Sequence, residues 1–150
     1  MEAGMKKIFL ATVMSGFRDA EVYAEYREGV LALIAALEEN YEVYSEMQRA
    51  SSEEAFSCPE KAVKDDFQAI EDADIFLMLH PCRVQSSTLM ELGYACALKK
   101  DMVIVGEAEN LPYMALGLVR PAYNAVRVEA SVINRETIEK ITEALGELCE

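Results

Sequence analysis

The chain has 150 residues, about half of them apolar and 27% charged, which is the length and composition of one soluble domain with one core. Its formal net charge of −13 argues against a nucleic-acid backbone or an anionic membrane as partner, while a small anionic ligand stays open because salt screens a distant field. No apolar run approaches the roughly 20 residues of a membrane span and no signal-peptide pattern is present, so the expectation is a cytoplasmic protein.

In chain order, Lys6 to Val13 is a continuous apolar run behind a charged start and reads as a central parallel strand. Met14 to Asp19 is a turn with small residues, Ser15 and Gly16, at its centre. From Ala20 to Asn40, Val22, Tyr26, Val30, Leu33, Ile34 and Leu37 recur every three or four positions, predicting an amphipathic helix that ends near Asn40. Tyr41 to Tyr44 reads as a second strand, and Met47 to Phe56, without a period, as a loop over one edge of the sheet.

Ser57-Cys58-Pro59-Glu60 has the marks of a helix start: a serine to cap, proline in the first turn and glutamate at the capping-box position. That helix is expected to run to about Asp72 and to bury Val63, Phe67 and Ile70. Asp74 to Leu79 is a third strand, His80 to Ser87 a crossover loop, and Thr88 to Lys99 a helix. Met102 to Val105 is a fourth strand ending at Gly106, and Glu107 to Asn124 is mostly loop with one apolar turn from Met114 to Val119. Ala125 to Val128 is a fifth strand, and Asn134 caps a last helix striped with Ile138, Ile141, Leu145 and Leu148. Strands alternating with helices predict an α/β fold with a doubly wound, mainly parallel five-stranded sheet.

Cys58, Cys82, Cys96 and Cys149 have neither CxxC nor metal-ligand spacing, and His80 is the only histidine, so no histidine-based zinc site can be built. Cys58 and Cys96 are expected to be buried by helix packing and reduced.

Three places could carry chemistry. Glu91 falls at a helix start just beyond a buried strand, after Ser86 and Ser87, where ligands of open α/β sheets sit. A carboxylate there is expected to be ionised, held so by the helix N-terminus. The same residues also read as a capping box, Thr88-x-x-Glu91, and Gly93 as a point of close backbone approach. Asp66 lies one turn before the buried Ile70, beside the packed face, or is simply a solvated aspartate on an acidic protein. In the first turn, Arg18 could grip a phosphate or carboxylate with help from Ser15 and Gly16, or could pair with Asp19 or Glu21. Neither GxGxxG nor a Walker loop is present.

Lys7 to Ala11, Asp66-Phe67-Gln68-Ala69-Ile70-Glu71-Asp72-Ala73-Asp74-Ile75 and Met90-Glu91-Leu92-Gly93-Tyr94-Ala95 together resemble the nucleoside 2-deoxyribosyltransferase superfamily. The resemblance runs in order to about Val128, and Ser15-Gly16-Phe17-Arg18-Asp19 with Tyr23 is closer to the branch that hydrolyses nucleoside 5'-monophosphates. It implies a flavodoxin-like fold, a homodimer or larger assembly, a nucleoside or nucleotide substrate and no metal or organic cofactor. It implies that Glu91 is the nucleophile at the sugar anomeric carbon and that Asp66 holds the sugar or assists at the base. It further implies that Arg18 and Ser15, with Ser86 or Ser87, hold a phosphate. The family's aspartate or serine six residues before the nucleophile is Gln85 here, which leaves that contact to Ser86 or Ser87. A base pocket would be lined by Met14, Phe17 and the Met47 to Phe56 loop. The expected activity is cleavage of an N-glycosidic bond through a glycosyl-glutamate. Base exchange between deoxynucleosides and a non-catalytic nucleotide sensor are the two alternatives.

Overall fold

The computed structural model describes residues 4–49 and 58–149. The first apolar run forms β1 (Lys7–Thr12), followed by α1 (Ala20–Leu37) and β2 (Glu42–Ser45). A four-residue helix, α2 (Glu46–Arg49), then leads out of β2. Next come α3 (Pro59–Asp72), β3 (Ile75–Leu79), α4 (Ser87–Ala97) and β4 (Asp101–Val105). Two 3-10 turns, Ala108–Asn110 and Tyr113–Gly117, precede β5 (Ala125–Val128) and α5 (Arg135–Glu147).

The strands lie in the order β2-β1-β3-β4-β5 and every pairing is parallel. This is the flavodoxin-like winding, in which the chain leaves β1 toward one edge and returns to the other side of it. Alternation along each strand divides the core in two. Ile8, Leu10, Leu77, Leu79, Val103 and Val105 face α1 and α5, while Phe9, Ala11, Phe76, Met78, Met102 and Ile104 face α3 and α4. Both faces are therefore apolar, as a parallel sheet covered by helices requires. No helix among the described residues is long and apolar enough to cross a membrane.

Several local expectations change. Asp19 caps α1 by accepting from the Val22 amide at 2.9 Å, and α1 stops at Leu37 because that carbonyl takes the amides of Asn40 and Tyr41. The third helix begins at Pro59 with Cys58 as its cap residue, so Ser57 does not cap it; Ser57 and residues 50–56 lie outside the described residues. Cys58 is exposed and Cys96 half-buried, not sequestered by packing, and all four thiols are free. Of the expected apolar face of α3 only Ile70 is buried, whereas Val63 stays 49% exposed. In Tyr113–Gly117 only Ala115 is buried, and Tyr113 and Met114 point outward.

The largest shift concerns α4. Ser86, not Thr88, is its cap residue, its hydroxyl accepting from the Thr88 amide at 3.0 Å. Glu91 is consequently the fifth helical residue and stands in the second turn, so no Thr88-Glu91 capping box forms. Gly93 faces open space and no backbone approaches it.

Candidate functional site

The point where the winding reverses lies between the carboxyl ends of β1 and β3, and a cavity of about 520 Å³ opens there. Its floor is the end of β1, where Ala11 is too small to fill the space that follows Phe9 along the same face. Ser15 comes from the β1–α1 loop, Glu46 from α2, Val63 and Asp66 from α3, and Ser86, Ser87, Thr88 and Glu91 from the start of α4. The exposure of Val63 is thus explained by its place on the wall.

The wall carries two kinds of polar group: the hydroxyls of Ser15, Ser86, Ser87 and Thr88, and the carboxyls of Glu46, Asp66 and Glu91. Ser86 Oγ and Thr88 Oγ1 lie 2.6 Å apart and so already share a hydrogen bond. The Tyr44 hydroxyl donates to Asp66 Oδ1 at 2.9 Å, with Glu46 Oε1 3.3 Å away. On the opposite face, Tyr26 and Thr12 hydroxyls meet at 2.7 Å and fix the end of β1.

Glu91 is only 7% exposed. Burial, then the charge of Asp66 and a hydrogen bond with it, and last the charge of Glu46, push its carboxyl up to about 8. The expected ionised glutamate is therefore corrected: in the ligand-free protein Glu91 keeps its proton at neutral pH. The dipole does not rescue the charge, because its effect fades within the first turn and Glu91 lies beyond it.

Five of the sequence-predicted residues, Ser15, Asp66, Ser86, Ser87 and Glu91, line this one cavity. Gly16 and Arg18 do not. Gly16 adopts φ +83°, and a Cβ there would lie 2.6 Å from Val84 Cγ2, so its part is to let the first loop close against the β3–α4 loop. The Arg18 side chain is 85% exposed and pairs with Asp19 at 3.4 Å. Phe17 turns away onto Tyr23 and Tyr26, and Met47 is buried in the α1-side core, so of the expected base-pocket residues that are described only Met14 reaches the cavity. Burial pushes the His80 imidazole down, and His80 and Arg83 line a separate cleft of about 250 Å³. Tyr44 and Glu46 escaped the sequence reading. They sit at the end of a short strand with no motif, and only the β1–β2 register brings them beside Asp66. A further opening of about 580 Å³, at the amino ends of β1 and β2, is lined by none of the predicted residues.

No family model matches the chain, and no curated protein does. Solved structures do. The CMP N-glycosidase BcmB of Clostridium botulinum is 26% identical, with a TM-score of 0.68, over 92% of this chain and 98% of that one. BlsM is 21% identical, with a TM-score of 0.73, over 98% and 93%. A conserved protein from Enterococcus faecalis V583 is 17% identical, with a TM-score of 0.64, over 93% and 99%. The resemblance first carried by short motifs thus extends over nearly the whole chain, which has the fold of the nucleoside 2-deoxyribosyltransferase-like proteins.

Proposed function

We propose that this protein cleaves the N-glycosidic bond of a nucleoside 5'-monophosphate and releases the free base. The observation that carries the reading is a buried Glu91 carboxyl beside Asp66 in a cavity also lined by the serines and N-terminus of α4. The hydroxyls and the helix N-terminus suit a phosphate, since helix amides and Ser/Thr hydroxyls are ready donors to an anion. The carboxyls suit a sugar carbon that becomes positively charged as its bond to the base breaks. Likeness to a CMP N-glycosidase over nearly the whole chain supports the same class of substrate.

The steps follow from two carboxyls and one proton. The proton passes from Glu91 to Asp66 once substrate occupies the site, leaving Glu91 anionic against C1' of the sugar. A Glu91 oxygen then bonds to C1' while the C1'–N bond breaks; its electron pair goes to the base, which takes the proton from Asp66. Water next attacks C1', Asp66 accepts its proton, and the Glu91 carboxylate departs. Hydrolysis and base exchange differ only in whether water or a second base meets the glycosyl ester. Arg18 joins the phosphate only if it exchanges Asp19 for the ligand, so its contribution is to affinity, not to bond cleavage.

The test is chromatography of free base after incubation with a panel of nucleosides and their 5'-monophosphates. Base release from a monophosphate is expected, and Glu91→Ala should lower it by about a thousandfold or more. A new nucleoside formed on adding a second base would assign exchange instead. Thermal stabilisation by nucleotides with no base released would assign a binding module. Undiminished release by Glu91→Ala would overturn the catalytic assignment.

A further inference from the structure

Tyr44 occupies the third position of β2, and the parallel register sets it beside Phe9, which is in turn beside Phe76. The three rings stack across β2, β1 and β3 with centroids 5.3 and 5.7 Å apart. Stacking of this kind fixes a ring by its faces and leaves its edge to be aimed. The edge is aimed at α3, where the hydroxyl donates to Asp66 Oδ1 at 2.9 Å. Glu46 Oε1, at 3.3 Å, is the longer contact. A phenol has one proton to give, and the shorter contact takes it.

Resting on the nucleotide-cleaving reading above, we propose that Tyr44 is a positioning residue: by donating to Asp66 it fixes the orientation of that carboxyl beside Glu91, and so governs the proton the two exchange. A donor to a carboxylate favours the charged form, and it favours it more strongly where water is scarce. Without that donor Asp66 competes better for the proton, the ligand-free pair holds it more tightly, and the acid that must serve the leaving base is free to rotate. Among the described residues, Glu46 on α2 and Cys58 at the start of α3 line the same cavity as the pair, and Lys61 and Asp65, which pair with each other on α3, line the neighbouring opening with Lys7, Glu42 and Asp72. Removing the phenolic oxygen also removes its 3.3 Å contact to Glu46.

Tyr44→Phe keeps the ring ladder and deletes the hydroxyl, with its donation to Asp66 and its longer contact to Glu46. In the ligand-free protein, the infrared carbonyl band of a protonated carboxyl is followed between pH 6 and 10. In wild type the band should fade near pH 8 and be missing from Glu91→Gln. In Tyr44→Phe its midpoint should rise by about one pH unit, since each unit reports a single hydrogen bond's worth of preference. In the base-release assay kcat at neutral pH should fall about tenfold with KM within twofold, and the alkaline limit of activity should move up with the infrared midpoint. Should Tyr44→Phe fail to fold, 3-fluorotyrosine placed at position 44 keeps the hydroxyl and strengthens it as a donor, so the midpoint should move down instead. An unmoved midpoint and an unchanged kcat in a folded variant overturn the proposal. If wild type releases no base from any nucleotide while the midpoint still moves, the nucleotide reading falls and the control of the proton by Tyr44 stands.

Discussion

Glu91 shows how far one side chain's chemistry is set by what surrounds it. Its position in the chain marks it as a candidate, but its proton is retained because it is buried beside another carboxyl. The folded state therefore binds a proton that the unfolded chain has already released, between the ordinary value of 4.5 and about 8. Below that window both states are protonated and Glu91 contributes fully; as pH rises through it, stability is lost, by up to about 1.4 kcal/mol per pH unit. Glu91→Gln, which has the same shape and no charge to suppress, should thus melt several degrees above wild type at pH 8, by roughly 2–4 °C for each kcal/mol. The gap should close toward pH 4.5, and calorimetry across that range checks it. Base release should fall above about pH 8, where the pair no longer holds the proton that the leaving base needs. None of this is legible in Met90-Glu91-Leu92, because local sequence says nothing of a carboxyl 25 positions away.

At the scale of elements, the four long helices α1, α3, α4 and α5 came out of the sequence in the right order and with shifted ends. The α4 boundary is the instructive case, since Ser86, Ser87 and Thr88 are three successive residues able to cap and pattern alone does not choose among them. In the fold Ser86 is the cap, in a β3–α4 loop whose Val84 lies against Gly16. That choice moves Glu91 from the first turn to the second and changes its electrostatics. It also leaves Gly93 on an exposed helical surface, where an added methyl would meet nothing within 4 Å. Gly93→Ala should therefore raise stability by about 0.5–1 kcal/mol, measured by denaturant melting, and leave base release unchanged. The short α2 was invisible because four residues carry too little periodicity to register.

At the scale of the whole molecule, a net charge of −13 would oppose the approach of the nucleotide proposed as substrate. Raising ionic strength from about 10 mM to 150 mM should accordingly raise kcat/KM for a monophosphate a few-fold, as the Debye length shrinks from roughly 30 Å to 8 Å. A neutral nucleoside assayed in parallel should show no such rise. The parallel sheet with helices on both faces was readable because continuous apolar strands and amphipathic helices are written in runs of neighbouring residues. That Ser15, Asp66, Ser86, Ser87 and Glu91 line one cavity follows from their places where strands give way to loops and helices or beside a packed helical face. Where Arg18 points, that Tyr44 and Glu46 join the site, and that Glu91 holds its proton were decided only when strands and helices packed. Periodicity is a property of adjacent residues, whereas burial and charge–charge contact are properties of residues that only the folded chain makes neighbours.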